Sequence, residues 1–241
     1  FDPAEDEAPA DYLRVREEAD TRYRIALAEG VTSWQVIEEL KSVDVLTGEV
    51  ADVPAEGMLA PDSYEVRVGD ERGALVSKMQ AAQEARIAEV WAARREGVPL
   101  KTPEEMLTLA SIIEKETGIA SERRQVASVF TNRLNQGIRL QTDPTVIYGV
   151  TRGKGVLGRG LRQSELRKET PWNTYVINGL PPTPIANPGL ESLRAAVNPD
   201  ATDYIFFVAD GTGGHAFAET LAEHNANVAK WRKIEAERAS D

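Results

Sequence analysis

The stretch Leu107–Gly118, "LTLASIIEKETG", runs an apolar helix into two glutamates, Glu114 and Glu116, just before a glycine. Its start is marked upstream by "TPEE", with Thr102 as N-cap, Pro103 at the first helical position and Glu105 three residues after the cap. Gly118 supplies the expected stop. A helix advances about 100° per residue, so the two glutamates point to nearly opposite sides. Glu116 follows Leu109, Ile112 and Ile113 at helical spacing and carries their apolar face onward. Glu114 follows Leu107, Ala110 and Ser111, a smaller and more mixed face.

A carboxylate that continues a buried stripe costs free energy unless it is protonated, paired or turned to a cleft. Apolar surroundings and the negative end of the helix dipole both push the pKa of Glu116 upward. A carboxyl group that keeps its proton near neutral pH suits a general acid. Periodicity leaves a second reading open, in which Glu116 pairs with Arg123, Arg124 or Arg133 and stitches two helices. Asp143, in "LQTDPT", is the candidate for a second carboxylate, since glycoside hydrolysis usually employs two. Asp before Pro is also a common turn, which is the simpler reading.

Working outward, "SERRQVASVFTNRLNQG" predicts another helix, capped by Ser121, stopped by Gly137 and striped by Val126, Val129, Phe130 and Leu134. "IRLQTDPTVIYGV" reads as an extended piece, a proline turn and an apolar segment. A long helix is expected over 71–97 and a rigid loop at "LPPTPIANPG", whose four prolines fix φ and remove four donors. "LESLRAAV" reads as a helix, "DYIFFVA" as a buried strand, "DGTGGHAF" as a hairpin-like turn, and the end from about Thr220 as helical. Upstream, a strand at Tyr23–Leu27 and a helix capped by Thr32 or Ser33 form a small strand-turn-helix unit, followed by a strand at Tyr64–Val68. The domains expected are an acidic tail over 1–20, its first ten residues frayed, the small unit over 21–55 and the main body over 56–241.

The 241 residues carry a net charge of −11, which argues against nucleic-acid binding across a broad face, and against an acidic polymer unless a local basic patch exists. There are no cysteines, so disulfides and thiolate metal sites are excluded. The chain begins at Phe1 rather than Met, the expected mark of a processed or truncated chain whose upstream signal or anchor has been removed. "GKGVLG", Gly153–Gly158, matches a dinucleotide-binding pattern only weakly and reads as a mobile loop. His215 and His224 with Glu219 lack a recognised metal-ligand spacing, so no metal and no cofactor are expected. Amides and aromatic rings that suit neutral sugars are common in the second half: Asn132, Gln141, Tyr148, Trp172, Asn173, Tyr175, Asn187 and Asn225.

Together, "LASIIEKETG", "RRQVASVFTNRLNQGIRLQTDPTVIYG", "PWNTYVINGLPPTPIANPGLESLRAAVNP" and "YIFFVADGTGGHAFAETLAEHN" resemble the endolytic murein transglycosylase (YceG-like) family. "IALAEGVTSWQVIEEL" looks like its LysM-like unit. The resemblance implies an α+β fold: a LysM-like unit, then a mixed α/β catalytic domain with helices around a short sheet and a lysozyme-like active-site helix. It implies cleavage of peptidoglycan strands between N-acetylmuramic acid and N-acetylglucosamine, closing a 1,6-anhydro ring. Glu116 takes the place of the single acid and base, with Glu114 in reserve and Thr117 as the small hydroxyl residue after it. Asn132, Gln141, Asp143, Asn173, Tyr175, Asn187 and His215 are the expected substrate-binding positions. Peptidoglycan synthases are implied as partners, and an N-terminal membrane anchor, absent from this chain, as the tether of an extracytoplasmic domain. Ala28, Trp172 and Thr183 depart from the family pattern. Two alternatives stand beside this reading: a muramidase using Glu116 with Asp143, and a glycan-binding scaffold with a degenerate site.

Overall fold

Two apolar cores organise the chain, in a computed structural model that describes residues 9–18 and 20–238. Of the tail expected to fray, residues 1–8 lie outside the described residues. Next comes a short helix, α1 (Ala10–Glu17). The smaller core is built by β1 (Tyr23–Ala26), α2 (Ser33–Ser42), β2 (Ser63–Val66) and the start of α3 (Arg72–Ala92). β1 and β2 pair antiparallel, Tyr23 opposite Val66 and Ala26 opposite Ser63, so this core draws residues from both sides of position 55. Thr32 caps α2 reciprocally: its hydroxyl accepts the Gln35 N–H at 3.3 Å, and Gln35 Oε1 accepts the Thr32 N–H at 2.9 Å. Arg72 gathers the far end of α2, donating to Leu40 O at 2.6 Å, Leu46 O at 3.0 Å and Val43 O at 3.1 Å. It satisfies carbonyls that a helix end leaves open.

The larger core surrounds α4 (Pro103–Glu116), with α5 (Arg123–Asn135), α6 (Asp143–Thr151), α7 (Gln163–Arg167) and α8 (Leu190–Val197). A hairpin of β3 (Phe206–Ala209) and β4 (His215–Ala218) and the helix α9 (Leu221–Arg238) complete the order. The α+β class holds, and among the described residues the strands form two separate two-stranded sheets. Residues 106–113 of α4 are all buried, so this helix has no solvent face along its middle.

Several expectations need correction. The 71–97 helix ends at Ala92, because Arg95 turns its N–H to Val197 O at 3.1 Å and Gly97 takes a left-handed φ of 85°. The proline turn at Asp143–Pro144 is instead the first turn of α6, where a missing N–H and a fixed φ are harmless. Gly118 is not a left-handed stop; α4 ends through Thr117 in extended conformation. Ser121 is not the cap of α5, whose N-cap is Glu122. Strand β3 is half-buried throughout, not buried. The proline-rich loop at 180–189 joins the two cores through Asn187.

Asn187 is 0% exposed. Its Oδ1 accepts the Leu59 N–H at 2.9 Å, and its Nδ2 donates to Val31 O at 3.0 Å. Its own backbone exchanges bonds with Val31 and Gly30. Replacing Asn187 with Ala leaves the buried Leu59 N–H without an acceptor, a loss of about 1–3 kcal/mol. Urea denaturation of Asn187→Ala is expected to show that loss; a midpoint equal to the wild type would remove Asn187 from this role.

Candidate active site

Glu116 ends α4 at the wall of a cleft of about 640 Å³. Phe130 and Arg133 of α5, the 140–143 segment, Tyr175, the β3 residues Phe206–Val208, and Leu221, His224 and Asn225 of α9 line the rest. Glu116 keeps some surface toward the cleft, yet its carboxyl is largely desolvated, and burial raises its pKa above the ordinary carboxylate range. The hydroxyl of Thr142 donates to Oε1 and opposes that rise, the Asp143 charge adds to it, and His215 counters it weakly.

The arginine-pair reading of Glu116 does not hold: among the described residues no ion pair involves it. Arg133, the cation in the cleft, is committed elsewhere. It donates to Ile205 O at 2.6 Å, to Arg139 O and Leu140 O at 3.0 Å each, and to Gln141 Oε1 at 3.3 Å. Its guanidinium also lies over the Phe206 ring, 5.2 Å from the centroid. Arg124 pairs with Asp200 at 3.0 Å.

Of the expected substrate-binding positions, Gln141, Asp143 and Tyr175 meet Glu116 in the cleft. The Tyr175 hydroxyl donates to Asp143 Oδ1 at 2.7 Å, and burial followed by that bond raises its pKa. Gln141 holds φ at 53°, a left-handed conformation costly for a residue with a side chain and typical of functional segments. The other positions are placed differently. Asn132 donates to Thr202 O at 2.8 Å and Tyr204 O at 2.9 Å, tying α5 to the approach of β3. Asn173 is fully buried and donates to three carbonyls, the shortest bond 2.7 Å to Lys168 O. Asn187 joins the cores. Glu114, the reserve acid, accepts the Gly189 N–H at 2.9 Å at the start of α8. His215 Nδ1 lies 2.8 Å from Glu122 Oε2, behind the cleft rather than in its lining. Thr117 turns its hydroxyl to the Ile119 N–H at 3.0 Å.

Sequence reasoning missed Thr142 and the aromatic wall of Phe130, Phe206 and Phe207 as site residues. His224 enters the sequence reading only as a rejected metal ligand; it stacks on Phe206 at 4.9 Å, and its buried Nδ1 has no hydrogen-bond partner among the described residues. The one available signal was for Thr142, a hydroxyl immediately before the candidate Asp143.

Fold and site define an α+β protein with one desolvated carboxyl group opening on an aromatic and amide-lined cleft. The chain belongs to the YceG-like family, whose model matches residues 5–230. It is 36% identical over 178 residues to the endolytic murein transglycosylase of Bacillus subtilis (strain 168), covering 74% of this chain and 48% of that protein. It is 30% identical over 181 residues to the protein of the same name from Streptococcus pneumoniae serotype 2 (strain D39), covering 73% of this chain and 32% of that one. The chain thus spans half or less of these curated relatives. The crystal structure of a YceG-like protein from Listeria monocytogenes superposes with a TM-score of 0.69 at 32% identity, over 84% of this chain and 75% of that one.

The raised pKa of Glu116 has a consequence for stability. Between the ordinary carboxylate pKa and the raised one, the folded protein holds a proton that the unfolded chain has released. Stability from this group is therefore full below the ordinary value and is lost as pH rises through the folded value. Glu116→Gln, which cannot ionise, is expected to gain stability relative to wild type as pH climbs from 4 to 8. Urea midpoints that stay parallel across that range would contradict it.

Proposed function

We propose that the chain is the catalytic portion of an endolytic peptidoglycan lytic transglycosylase, with Glu116 as general acid and then base. The observation that carries this reading is a desolvated carboxyl, without an ion pair among the described residues, at the wall of a cleft of about 640 Å³. Protonated Glu116 donates to the glycosidic oxygen between N-acetylmuramic acid and N-acetylglucosamine, and the leaving sugar departs with that proton. The resulting carboxylate takes the proton of the muramyl C6 hydroxyl, whose oxygen attacks C1 and closes the 1,6-anhydro ring. Thr142 holds the carboxylate in place through this second half. Gln141, Tyr175 and Asn225 offer polar contacts to sugar edges, and Phe206 and Phe207 offer apolar surface to sugar faces.

The names of the relatives support this class, and the family match supports the fold that delivers it. We further infer that the 21–55 segment is a LysM-like unit and that α4 corresponds to the acid-bearing helix of lysozyme-like enzymes. By the same resemblance the protein works outside the cytoplasmic membrane on a single-pass anchor, beside peptidoglycan synthases. Among the described residues no helix is long and apolar enough to cross a membrane.

A muramidase remains the second reading, because Asp143 shares the cleft with Glu116. Mass spectrometry of products from purified glycan strands separates the two. Anhydromuramyl ends are expected; reducing ends carrying oxygen from labelled water would favour hydrolysis. Glu116→Gln is expected to lower product formation roughly 10²–10⁴-fold with an unchanged circular-dichroism spectrum. Undiminished cleavage by that variant would remove Glu116 from the mechanism. Thr142→Val deletes a bond that favours the charged carboxyl, so the pKa of Glu116 rises further. A general acid works while protonated, so the alkaline limb of the kcat/KM profile is expected to move to higher pH. A limb that stays fixed would disconnect Thr142 from the acid.

A further inference from the structure

A second cavity, of about 450 Å³, lies on the other side of the wall that carries Glu116. Lys115 lines this cavity while its neighbour Glu116 lines the cleft, and Pro144 lines it while its neighbour Asp143 lines the cleft. The end of α4 and the start of α6 therefore separate the two spaces by one thickness of backbone. Thr32 and Gln35 of α2 close the cavity from the smaller core, and the glycine-rich loop at 153–159 closes it from outside.

That loop begins a segment whose charge opposes the rest of the chain. Residues 152–168 hold Arg152, Lys154, Arg159, Arg162, Arg167 and Lys168 against one acid, Glu165, in a protein of net charge −11. All six cations are exposed. Arg159 pairs with Glu165 at 2.6 Å, and Arg152 stacks on Trp172 at 3.9 Å. Lys154, Arg162, Arg167 and Lys168 have no ion pair among the described residues. The base of the loop is pinned: Gly153 is buried, its carbonyl accepts the Thr32 hydroxyl at 2.6 Å, and a side chain there would press on Glu56, Tyr148 and Thr32. Its tip is not, and Val156 stands 85% exposed. Of the six cations Arg159 lines the cavity, Lys154 stands between the lining residues Gly153 and Gly155, and Arg162 and Arg167 follow at the two ends of α7. A basic segment with apolar tips beside a largely apolar cavity suits a short, methyl-rich, multiply anionic ligand.

We propose that this cavity and the basic segment that begins in its loop bind the peptide stem of the glycan strand, reading its carboxylates through Lys154, Arg162 and Arg167 and its alanine methyls through Val156 and Leu157. The inference rests on the peptidoglycan reading above, and it names the part of that substrate which the cleft does not hold. A stem leaves the muramyl residue through its lactyl ether, on the sugar whose C1 must lie at Glu116. A cavity one backbone thickness from Glu116 is within reach of the first stem residues. Cations exposed to water act at short range and are screened by salt.

Binding separates this proposal from the catalytic one. Glu116→Gln protein is titrated with glycan strands carrying intact stems and with strands stripped by an amidase, at low and at high salt. Stem-bearing strands are expected to bind about tenfold more tightly at low salt, with the ratio falling toward one in about 0.5 M salt. Adding K154E, R162E and R167E is expected to collapse the ratio at low salt while the melting temperature holds. Equal binding of the two strands, or a preference that survives the charge reversal, overturns the proposal. So does loss of binding to phosphatidylglycerol vesicles with the stem preference intact, which would assign the basic segment to a membrane surface instead. Failure of the wild type to cleave any strand sinks the transglycosylase reading, and the binding ratio still decides the stem site on its own.

Discussion

The arrangement depends on one constraint: α4 is buried on every side along its middle. A helix with an exposed face can rotate a few degrees or fray to relieve a poorly placed charge. Here Met106, Leu109, Ala110, Ile112 and Ile113 are 0% exposed, and even Ser111 is enclosed, its hydroxyl accepting the Ile185 N–H at 3.0 Å. Such a helix cannot turn without opening cavities on several sides, each costing kcal/mol. Its last turn therefore delivers both glutamates into the protein at fixed azimuths. Glu114 meets the start of α8, where a backbone N–H is waiting. Glu116, two residues on, meets no such donor from the backbone and opens on the cleft.

What keeps Glu116 protonation-prone is as much the disposition of Arg133 as its own burial. A guanidinium facing that carboxyl would favour the charged form and undo the effect of burial. Arg133 Nε and Nη1 are instead bonded to three backbone carbonyls and the Gln141 amide oxygen, and its own desolvation lowers its pKa. The same bonds fix the 139–141 segment, whose strained Gln141 leads directly to Thr142 and Asp143. One arginine thus shapes the floor of the site without neutralising the acid in its wall.

Signals that depend on a local period or a local cap were legible in the sequence. The caps at Thr102 and Thr32, the left-handed stop at Gly137 and the inward heading of Glu116 all follow from spacing within one helix. Polar side chains were not legible in this way. Asn132, Asn173 and Asn187 have the chemistry to hold a sugar, but their donors face backbone carbonyls, for Asn132 and Asn187 ones distant in sequence, and nothing in the residue type distinguishes the two uses. Pro144 misled because proline is equally at home in a turn and in a helix's first turn. The aromatic wall was hidden for a related reason: β3 shows the composition of a core strand, and only the packing of α9 leaves its Phe206 and Phe207 facing a cleft.

The placement of charge joins these points. An acid that must retain its proton and a polymer that carries negative charge make opposite demands, since every cation that attracts the polymer also lowers the pKa of a nearby carboxyl. The molecule separates the two in space. Four cations without an ion pair among the described residues, Lys154, Arg162, Arg167 and Lys168, lie together at 152–168, after α6, where solvent and salt screen them over about 8–10 Å. Glu116 lies on the opposite side of the α4–α6 wall, in a cleft whose arginine is already bonded to backbone carbonyls. On the proposed reading, attraction of the strand and retention of the proton fall to different faces of the same backbone, and the overall negative charge of the chain does not conflict with an anionic substrate.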